Sequence, residues 1–325
     1  MKTLHILLMG ILVLLNSACK SSKEAQEDNP TKPEKPEMTS SIPPGNQSLF
    51  WVIRSKESDK PSYLYGTIHV ISSEDYFLGA NVKDKLLNAD KLVMEVDLND
   101  MNMNAIADAG LLPNNTSLKD YLSVEDYEYV SKCLADSIGL SASSFEATYA
   151  RMKPIFLQQL IVYRYLGENP VSYETNFNQL AEINGIESSG LETFEQQLEF
   201  LNQVPLEEQF EDLVDALKNW DETKEQFLQL LSAYKNQDLE ALNRIIETEM
   251  ESPKMREVLL NKRNNNWTPQ LKQLADEGNA FIAVGAGHLE GEFGVINLLR
   301  GEGYEVWPYP IGEIVAVSYT HLRAH

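Results

Sequence analysis

Residues 64–69 read LYGTIH, and residues 283–288 read AVGAGH. Each stretch is an apolar strand pattern followed by a glycine and, three positions later, a histidine. A glycine at a strand exit permits a sharp turn and a close approach of backbones, and ligands of open α/β sheets bind at the carboxyl ends of the strands. We therefore expect the two units to point His69 and His288 into one crevice.

The chain contains five histidines, and three of them are set aside. His5 lies in an amino-terminal apolar segment, and His321 and His325 lie in a carboxyl-terminal stretch that resembles a translated sequencing adaptor. Imidazole is the commonest metal ligand and a natural general base near neutral pH. Taken alone, either His69 or His288 is more often a structural residue. As a matched pair, the two histidines predict a catalytic or metal site.

Strand and helix patterns alternate at both ends of the body of the chain. Strands are predicted at 49–54, 62–65, 91–98, 279–284 and 304–309, and helices at 81–90 and 293–300. The order strand, helix, strand near the first unit suggests a parallel pair with a crossover.

The middle of the chain has mostly helical spacing, from about 101 to 251. A short stretch at 185–191 is either a strand or part of this helical block. Residues 257–276 predict a helix that is broken near Thr268–Pro269. The predicted fold class is therefore α/β, with a sheet assembled from the N- and C-terminal segments around a large helical insertion.

Carboxylates near the histidines are the next candidates, because hydrolytic metal sites use them. Glu95 lies on the mostly apolar strand 91–98 and is the best candidate for a functional carboxylate. The alternative is that it lies on a half-solvated face of the strand and has no role in a site. Asp97 shares that face and reads as a ligand, a partner of a ligand or a helix cap. Glu192 follows the stretch 185–191 and is a candidate for a catalytic role. The alternative is that it is an acidic residue in the first turn of a helix, where its charge stabilises the amino terminus.

One cationic residue joins these candidates. Arg263 lies in the polar run KRNNNW at 262–267. A guanidinium there would hold a substrate carboxylate or a transition-state oxyanion. The alternative is a solvated basic helix turn.

The composition limits the partners of the protein. Its 27 Lys and Arg against 49 Asp and Glu give a formal charge of −22 and a pI of about 4.6. Nucleic acid is therefore excluded, because phosphate binding requires clustered cationic side chains. Of the two cysteines, Cys133 is expected to be a buried small apolar residue. Lipidation of Cys19 would leave no internal disulfide.

The amino terminus predicts a lipoprotein. Residues 1–18 combine a basic start, an apolar run and small residues, as a secretory signal peptide does. The sequence LNSAC at 15–19 resembles a bacterial lipobox. We expect cleavage before Cys19, lipidation of its thiol, and a membrane-anchored protein of the cell envelope, periplasmic or at the outer membrane or surface. The alternative is an ordinary signal peptide with an incidental cysteine.

The remaining boundaries follow from composition. Residues 19–47 are rich in Ser, Lys, Glu and Pro and predict a disordered tether. Residues 317–325 resemble a translated sequencing adaptor and are expected to be a non-native tail. The folded domain is therefore expected at 48–316.

Further motifs accompany the two histidine units along the chain. They are YLYGTIHV (63–70), VMEVDL (93–98), MKP (152–154), GLET (190–193), QQL (196–198), RN (263–264) and VGAGHL (284–289). In this order they resemble the TraB/GumN family, to which the pheromone-shutdown proteins and the animal Tiki metalloproteases are related. The resemblance covers about 50–310 and implies a fold like that of erythromycin esterase and ChaN.

The resemblance also implies a site. The invariant elements of the family fall on Gly66, His69, Glu95, Glu192, Arg263, Gly285 and His288. Tiki proteins are metal-dependent peptidases that use manganese or cobalt. One departure is SYE at 172–174, where many relatives carry an aspartate. Glu174 keeps the carboxylate on a longer side chain, so the geometry would be altered if this acid were a ligand.

The leading hypothesis is a lipid-anchored, metal-dependent hydrolase of peptide bonds. His69, His288 and Glu95 would bind one divalent ion (Mn, Co or Zn), and the substrate would be a peptide or protein. Glu192, or Glu95 if it is not a ligand, would act as general base. Arg263 would stabilise the oxyanion or anchor the substrate.

Two other hypotheses belong to different classes. The first is a protein that captures a peptide or a polysaccharide-pathway component at the cell surface without turnover. The second is a metal-free, esterase-like enzyme with His69 as the base.

Overall fold

The computed structural model describes residues 48–167, 169–250 and 253–315. The predicted signal peptide, the tether, Cys19 and the carboxyl-terminal tail lie outside these residues, so the predictions made for them stay predictions. In the described part of the chain, no helix combines the length and the apolar character that crossing a membrane requires.

Six strands form one mixed sheet, and two short strands form a separate ribbon. The strands are β1 Phe50–Arg54, β2 Ser62–Thr67, β3 Val70–Ser72, β4 Lys91–Met94, β5 Pro170–Ser172, β6 Glu187–Gly190, β7 Ala280–Gly285 and β8 Glu305–Pro308. The order across the main sheet is β6–β4–β7–β2–β1–β8, and β3 pairs with β5 in the ribbon. The first four strands in that order are parallel, and β1 is antiparallel to both of its neighbours.

Helices surround the sheet and fill the middle of the chain. The α-helices are α1 Ala80–Leu87, α2 Met103–Ala109, α3 Val124–Ile138, α4 Ala142–Tyr149, α5 Pro154–Leu166, α6 Tyr173–Asn184, α7 Phe194–Leu201, α8 Leu206–Lys218, α9 Trp220–Lys235, α10 Leu239–Glu249, α11 Pro253–Arg256, α12 Lys262–Glu277 and α13 Val295–Gly301. The predicted mixed α/β class is confirmed. The possible strand at 185–191 is also confirmed, as β6, which joins the main sheet from within the helical region.

Strand β7 sits at the centre of the parallel part of the sheet. The sequence suggests that β2 and β4, joined by α1, form a parallel pair, and they do run parallel. However, β7 lies between them. Every residue of β7 is buried, as expected for a strand with helices on both faces of its sheet.

The strand predicted at 91–98 ends earlier, at Met94. The chain then turns, and Asp97 caps the short 3-10 helix Leu98–Asp100 by accepting a hydrogen bond from the Asn99 N–H at 3.0 Å. Of the three roles open to Asp97, the structure shows the helix cap.

The predicted break near Thr268–Pro269 is wrong, because α12 continues through Pro269. Proline removes one N–H, which leaves the carbonyl of Asn265 without its helical donor. Asn265 and Pro269 are both exposed, so water can bind that carbonyl. The buried face of the helix, which carries Arg263 and Trp267, is therefore undisturbed.

Candidate active site

The parallel strands β2, β7 and β4 end side by side, and this brings the candidate residues together. Thr67 of β2 pairs with Gly285 of β7, and Met94 of β4 pairs with Ala283 of β7. The chain segments that follow these three strands therefore leave the same edge of the sheet. Glu95 comes directly after β4, so it emerges beside the two histidine units.

Glu95 lies between the two histidines. Its Oε1 atom is 3.8 Å from Nε2 of His69 and 3.7 Å from Nε2 of His288. Two imidazoles from distant parts of the chain thus face one carboxylate oxygen at the carboxyl edge of the sheet.

Close packing explains the glycine of each unit. A Cβ on Gly285 would lie 2.7 Å from His69 Nε2 and 3.2 Å from Glu95 Oε1, and a Cβ on Gly66 would lie 2.6 Å from Leu289 Cδ1. Neither glycine has a positive φ, whereas His69 has a φ of 58°. The unusual backbone conformation therefore belongs to the histidine, which is a pattern found at functional sites.

Glu174 holds the outer ring nitrogen of His69. Its Oε1 lies 2.8 Å from His69 Nδ1 and also accepts a hydrogen bond from Thr67 Oγ1 at 2.6 Å. Burial lowers the pKa of His69, but Glu174, followed by Glu95, outweighs this effect and raises the pKa to about 9. Glu174 thereby orients His69 so that Nε2 faces the centre of the site.

His288 is buried and held at both ring nitrogens. Asn264 Oδ1 lies 2.6 Å from His288 Nδ1, while the amide nitrogen of Asn264 donates to the backbone carbonyls of His288 and Phe293. This amide orientation assigns the imidazole proton to Nδ1 and leaves a lone pair on Nε2. Burial lowers the pKa of His288 to about 3. The neutral form, which is able to bind a metal ion, is therefore the relevant one.

Glu95 is a buried carboxylate, with 6% of its surface exposed. Its Oε1 accepts a hydrogen bond from the Gly285 N–H at 2.7 Å, and its Oε2 accepts one from Arg263 Nη2 at 2.5 Å. Burial raises the pKa of Glu95, but Arg263 and the two histidines outweigh it and hold the pKa well below its usual range. The alternative of a half-solvated strand face is excluded for this residue.

All five N–H groups of Arg263 have acceptors. Nε and Nη2 donate to Glu192 Oε1 at 2.9 and 2.6 Å, and Nη2 also donates to Glu95 Oε2. Nη1 donates to the Leu259 carbonyl and to His288 Nε2, each at 3.1 Å. Burial lowers the pKa of Arg263, but the two carboxylates outweigh it and raise the pKa. The alternative of a solvated basic turn is excluded, since Arg263 is 3% exposed.

Glu192 is bonded at both carboxylate oxygens. Oε1 accepts the two hydrogen bonds from Arg263, and Oε2 accepts one from Trp267 Nε1 at 3.1 Å. Burial raises the pKa of Glu192 against the opposing effect of Arg263. The Trp267 ring also lies 4.8 Å from the guanidinium and 4.5 Å from the His288 ring, so it closes this side of the site.

An irregular helix presents Arg263 and Asn264. A π-helical turn, Glu257–Asn261, directly precedes α12. Such turns frequently mark functional sites. The carbonyl of Leu259 within this turn is one of the Arg263 acceptors, so the turn also fixes the direction of the guanidinium.

A small cavity that opens to solvent lies beside the histidines. His69 and His288 line one side. Leu230 of α9 and Leu242 and Ile246 of α10 line the other. The cavity wall therefore combines polar groups at the strand ends with apolar side chains of α9 and α10.

The chemical types of the candidate ligands, two imidazoles and a carboxylate, suit a divalent cation. Imidazole and carboxylate are ligands of Zn, Mn and Co, and both imidazoles are oriented through their outer nitrogen, as metal-binding histidines are. Among the residues that the structure describes, however, no three His, Cys, Asp or Glu side chains are grouped to hold a metal ion. In this arrangement Arg263 Nη1 donates to His288 Nε2 at 3.1 Å.

Apart from Asp97, which caps the helix Leu98–Asp100, seven residues that the sequence singled out for catalysis, metal binding or close packing lie in this one region of the described structure. These residues are Gly66, His69, Glu95, Glu192, Arg263, Gly285 and His288. The partners of the ring nitrogens were not predicted. Asn264 was noted only within a motif, and Glu174 only as a possible ligand, although its place at a departure from the family pattern was a signal.

The family follows from the sequence comparison. A family model described as TraB/PrgY/gumN family matches residues 49–308. The chain belongs to this family. Curated relatives include Metalloprotease TIKI1 of Homo sapiens, 26% identical over 82% of this chain and 62% of the relative, and Metalloprotease TIKI2 of Danio rerio, 23% identical over 85% and 64%. YbaP of Escherichia coli (strain K12) is 27% identical over 73% of this chain and 87% of its own length.

This TraB/PrgY/gumN chain spans less than two thirds of the TIKI proteins that it matches. No solved structure matches it. The likeness to erythromycin esterase and ChaN therefore stays a prediction.

Proposed function

We propose that this protein is a metal-dependent hydrolase of peptide bonds, with His69, Glu95 and His288 as the metal ligands. The observation that carries the proposal is the placement of both Nε2 atoms within 4 Å of Glu95 Oε1, at 3.8 and 3.7 Å. The metalloprotease names of two relatives support it. A fold like that of erythromycin esterase and ChaN is part of the same proposal.

A bound divalent ion would supply a polarised carbonyl and an activated water. Around it, Glu174 and Asn264 hold the two imidazoles by their Nδ1 atoms. The low pKa of Glu95 keeps that carboxylate ionised, which suits a ligand better than a base.

Glu192 and Arg263 receive positioning roles in this proposal. Glu192 was predicted as a base, and hydrogen bonds at both of its oxygens, from Arg263 and Trp267, fix its carboxylate in place beside the guanidinium. In the arrangement that the structure describes, all five N–H groups of Arg263 have acceptors, so the oxyanion contact predicted for Arg263 is not available there. Glu192 therefore holds Arg263, and Arg263 balances the charge of the two buried carboxylates.

A metal-free hydrolase is the second candidate. It is favoured by the contact between Arg263 Nη1 and His288 Nε2, which leaves His69 as the histidine with an unoccupied Nε2. In this case His69, oriented by Glu174, would act as the base in its neutral form, which its pKa of about 9 makes the minor form at neutral pH.

A peptide digest distinguishes these candidates. A mixture of peptides is incubated with the purified protein under three conditions: with a chelator, with Mn²⁺, Co²⁺ or Zn²⁺ restored, and with His69→Ala in place of the wild type. We expect fragments by mass spectrometry only from metal-loaded wild type. Cleavage that persists in the chelator supports the metal-free hydrolase, and intact peptides throughout support ligand capture without turnover.

The cellular location is a separate proposal from the sequence. We infer that the protein is anchored in the cell envelope by a lipid on Cys19. Incorporation of a labelled fatty acid that persists in Cys19→Ala would contradict it.

A further inference from the structure

We propose that Arg263 is the resident cation of this site, and that a divalent ion binds only after the guanidinium withdraws from His288 and Glu95. The inference rests on the proposed metal-dependent function and adds a control element to it. The juxtaposition that supports it is one guanidinium bonded to two of the three proposed ligands, His288 Nε2 at 3.1 Å and Glu95 Oε2 at 2.5 Å.

The competition at His288 is strict. Asn264 Oδ1 accepts the Nδ1 proton, so the Nε2 atom offers a single lone pair. That lone pair accepts the hydrogen bond from Arg263 Nη1. It therefore serves either the guanidinium or a metal ion, and not both.

Arg263 has a second place to bind when it withdraws. Its Nε and Nη2 groups donate to Glu192 Oε1, which is not one of the proposed ligands. The Trp267 ring lies 4.8 Å from the guanidinium carbon and gives it a cation–π partner. The charge of Arg263 thus keeps an opposite charge beside it in both arrangements.

The site therefore has two arrangements, and in each of them one cation, either the guanidinium or the divalent ion, is bound to Glu95. In the first, Arg263 bonds to Glu95, Glu192 and His288. In the second, Arg263 keeps Glu192 and the Leu259 carbonyl, and Glu95 and His288 are free to bind the divalent ion. The apparent metal affinity is reduced by the fraction of molecules in the first arrangement.

Arg263→Lys tests this inference, because lysine keeps the charge but replaces the planar fork by one ammonium that cannot span all three partners. Mn²⁺ is titrated by calorimetry into chelator-treated wild type, Arg263→Lys and the control Lys262→Gln, which removes a positive charge at an exposed neighbouring position. We expect Arg263→Lys to bind Mn²⁺ about tenfold more tightly than the wild type. Lys262→Gln is expected to match the wild type.

Three results overturn the inference in distinguishable ways. Equal or weaker binding by Arg263→Lys, with binding retained in the wild type, overturns the competition and leaves the proposed function standing. An equal gain in Lys262→Gln attributes the effect to general electrostatics. Absence of binding to every variant overturns the proposed metal site together with this inference.

A measurement on the wild-type protein tests the same inference without requiring that the Arg263→Lys variant folds. The buried guanidinium protons of Arg263 are followed by ¹⁵N NMR while Zn²⁺, which is diamagnetic, is added. We expect the Nη1 signals to shift, because they lose His288, while the Nε–H signal that is bonded to Glu192 persists. Unchanged Nη1 signals at a concentration that saturates the site would contradict the inference.

Discussion

Replacing Arg263 with methionine is expected to lower the free energy of unfolding by about 3–5 kcal/mol in the absence of metal. The substitution leaves Glu95 and Glu192 without the cation between them, and these residues are only 6% and 8% exposed. A buried carboxylate that loses its partner costs far more than the pair contributes. The value is measured by urea denaturation in a chelating buffer.

The matched control is Arg244→Met, which removes the same charge from the exposed pair with Glu240 on α10. An exposed pair of this spacing contributes about 0.3–0.5 kcal/mol, so the control should unfold almost like the wild type. Adding Glu95→Gln and Glu192→Gln to Arg263→Met should restore part of the loss, because the buried charges are then gone. If Arg263→Met is no more destabilised than Arg244→Met, the buried network does not stabilise the fold as described.

Gly285→Ala is expected to reduce peptide hydrolysis by about 100-fold or more, since displacements near 1 Å at a reacting centre have effects of this size. The added Cβ would lie 2.7 Å from His69 Nε2 and 3.2 Å from Glu95 Oε1, so both groups must move apart. The backbone itself accepts alanine, because Gly285 has φ −55° and ψ 137°. Stability should therefore change little, while activity and metal affinity fall.

Gly301→Ala provides the control for this substitution. A Cβ at Gly301 would meet no atom within 4 Å. It should leave hydrolysis unchanged and stabilise the protein by about 0.4–1 kcal/mol, through a less flexible unfolded chain. Wild-type activity and metal affinity in Gly285→Ala would show that the close approach of Gly285 to His69 has no part in function.

The sequence predicts which residues lie at the strand ends better than it predicts the order of the strands in the sheet. Repetition of the glycine–histidine unit after two apolar strands was enough to expect that His69 and His288 converge. It did not reveal that β7 lies between β2 and β4, because strand order depends on long-range packing that local patterns do not carry. The break predicted at Pro269 failed for a similar reason, since the cost of proline depends on whether the affected carbonyl faces water.

Within the site, the sequence predicts which residues are involved better than it predicts which residues are hydrogen-bonded to one another. Glu95, Glu192 and Arg263 were recognised as candidates, but their mutual bonding was not. Sequence separations of 71 and 168 residues divide Arg263 from the two carboxylates, and only the folded chain brings them within hydrogen-bond distance. Glu174 and Asn264 were missed as partners of the imidazoles because a second polar residue behind a ligand has no fixed spacing from it.

The proposed function requires His69, Glu95 and His288 to hold one divalent ion together. Calorimetric titration of Mn²⁺ into chelator-treated wild type and into His69→Ala tests it most directly, with circular dichroism confirming that both proteins are folded. We expect one site per chain with an affinity on the order of micromolar in the wild type, and no measurable binding in His69→Ala. Equal binding by the two proteins, or no binding by either, would contradict the claim.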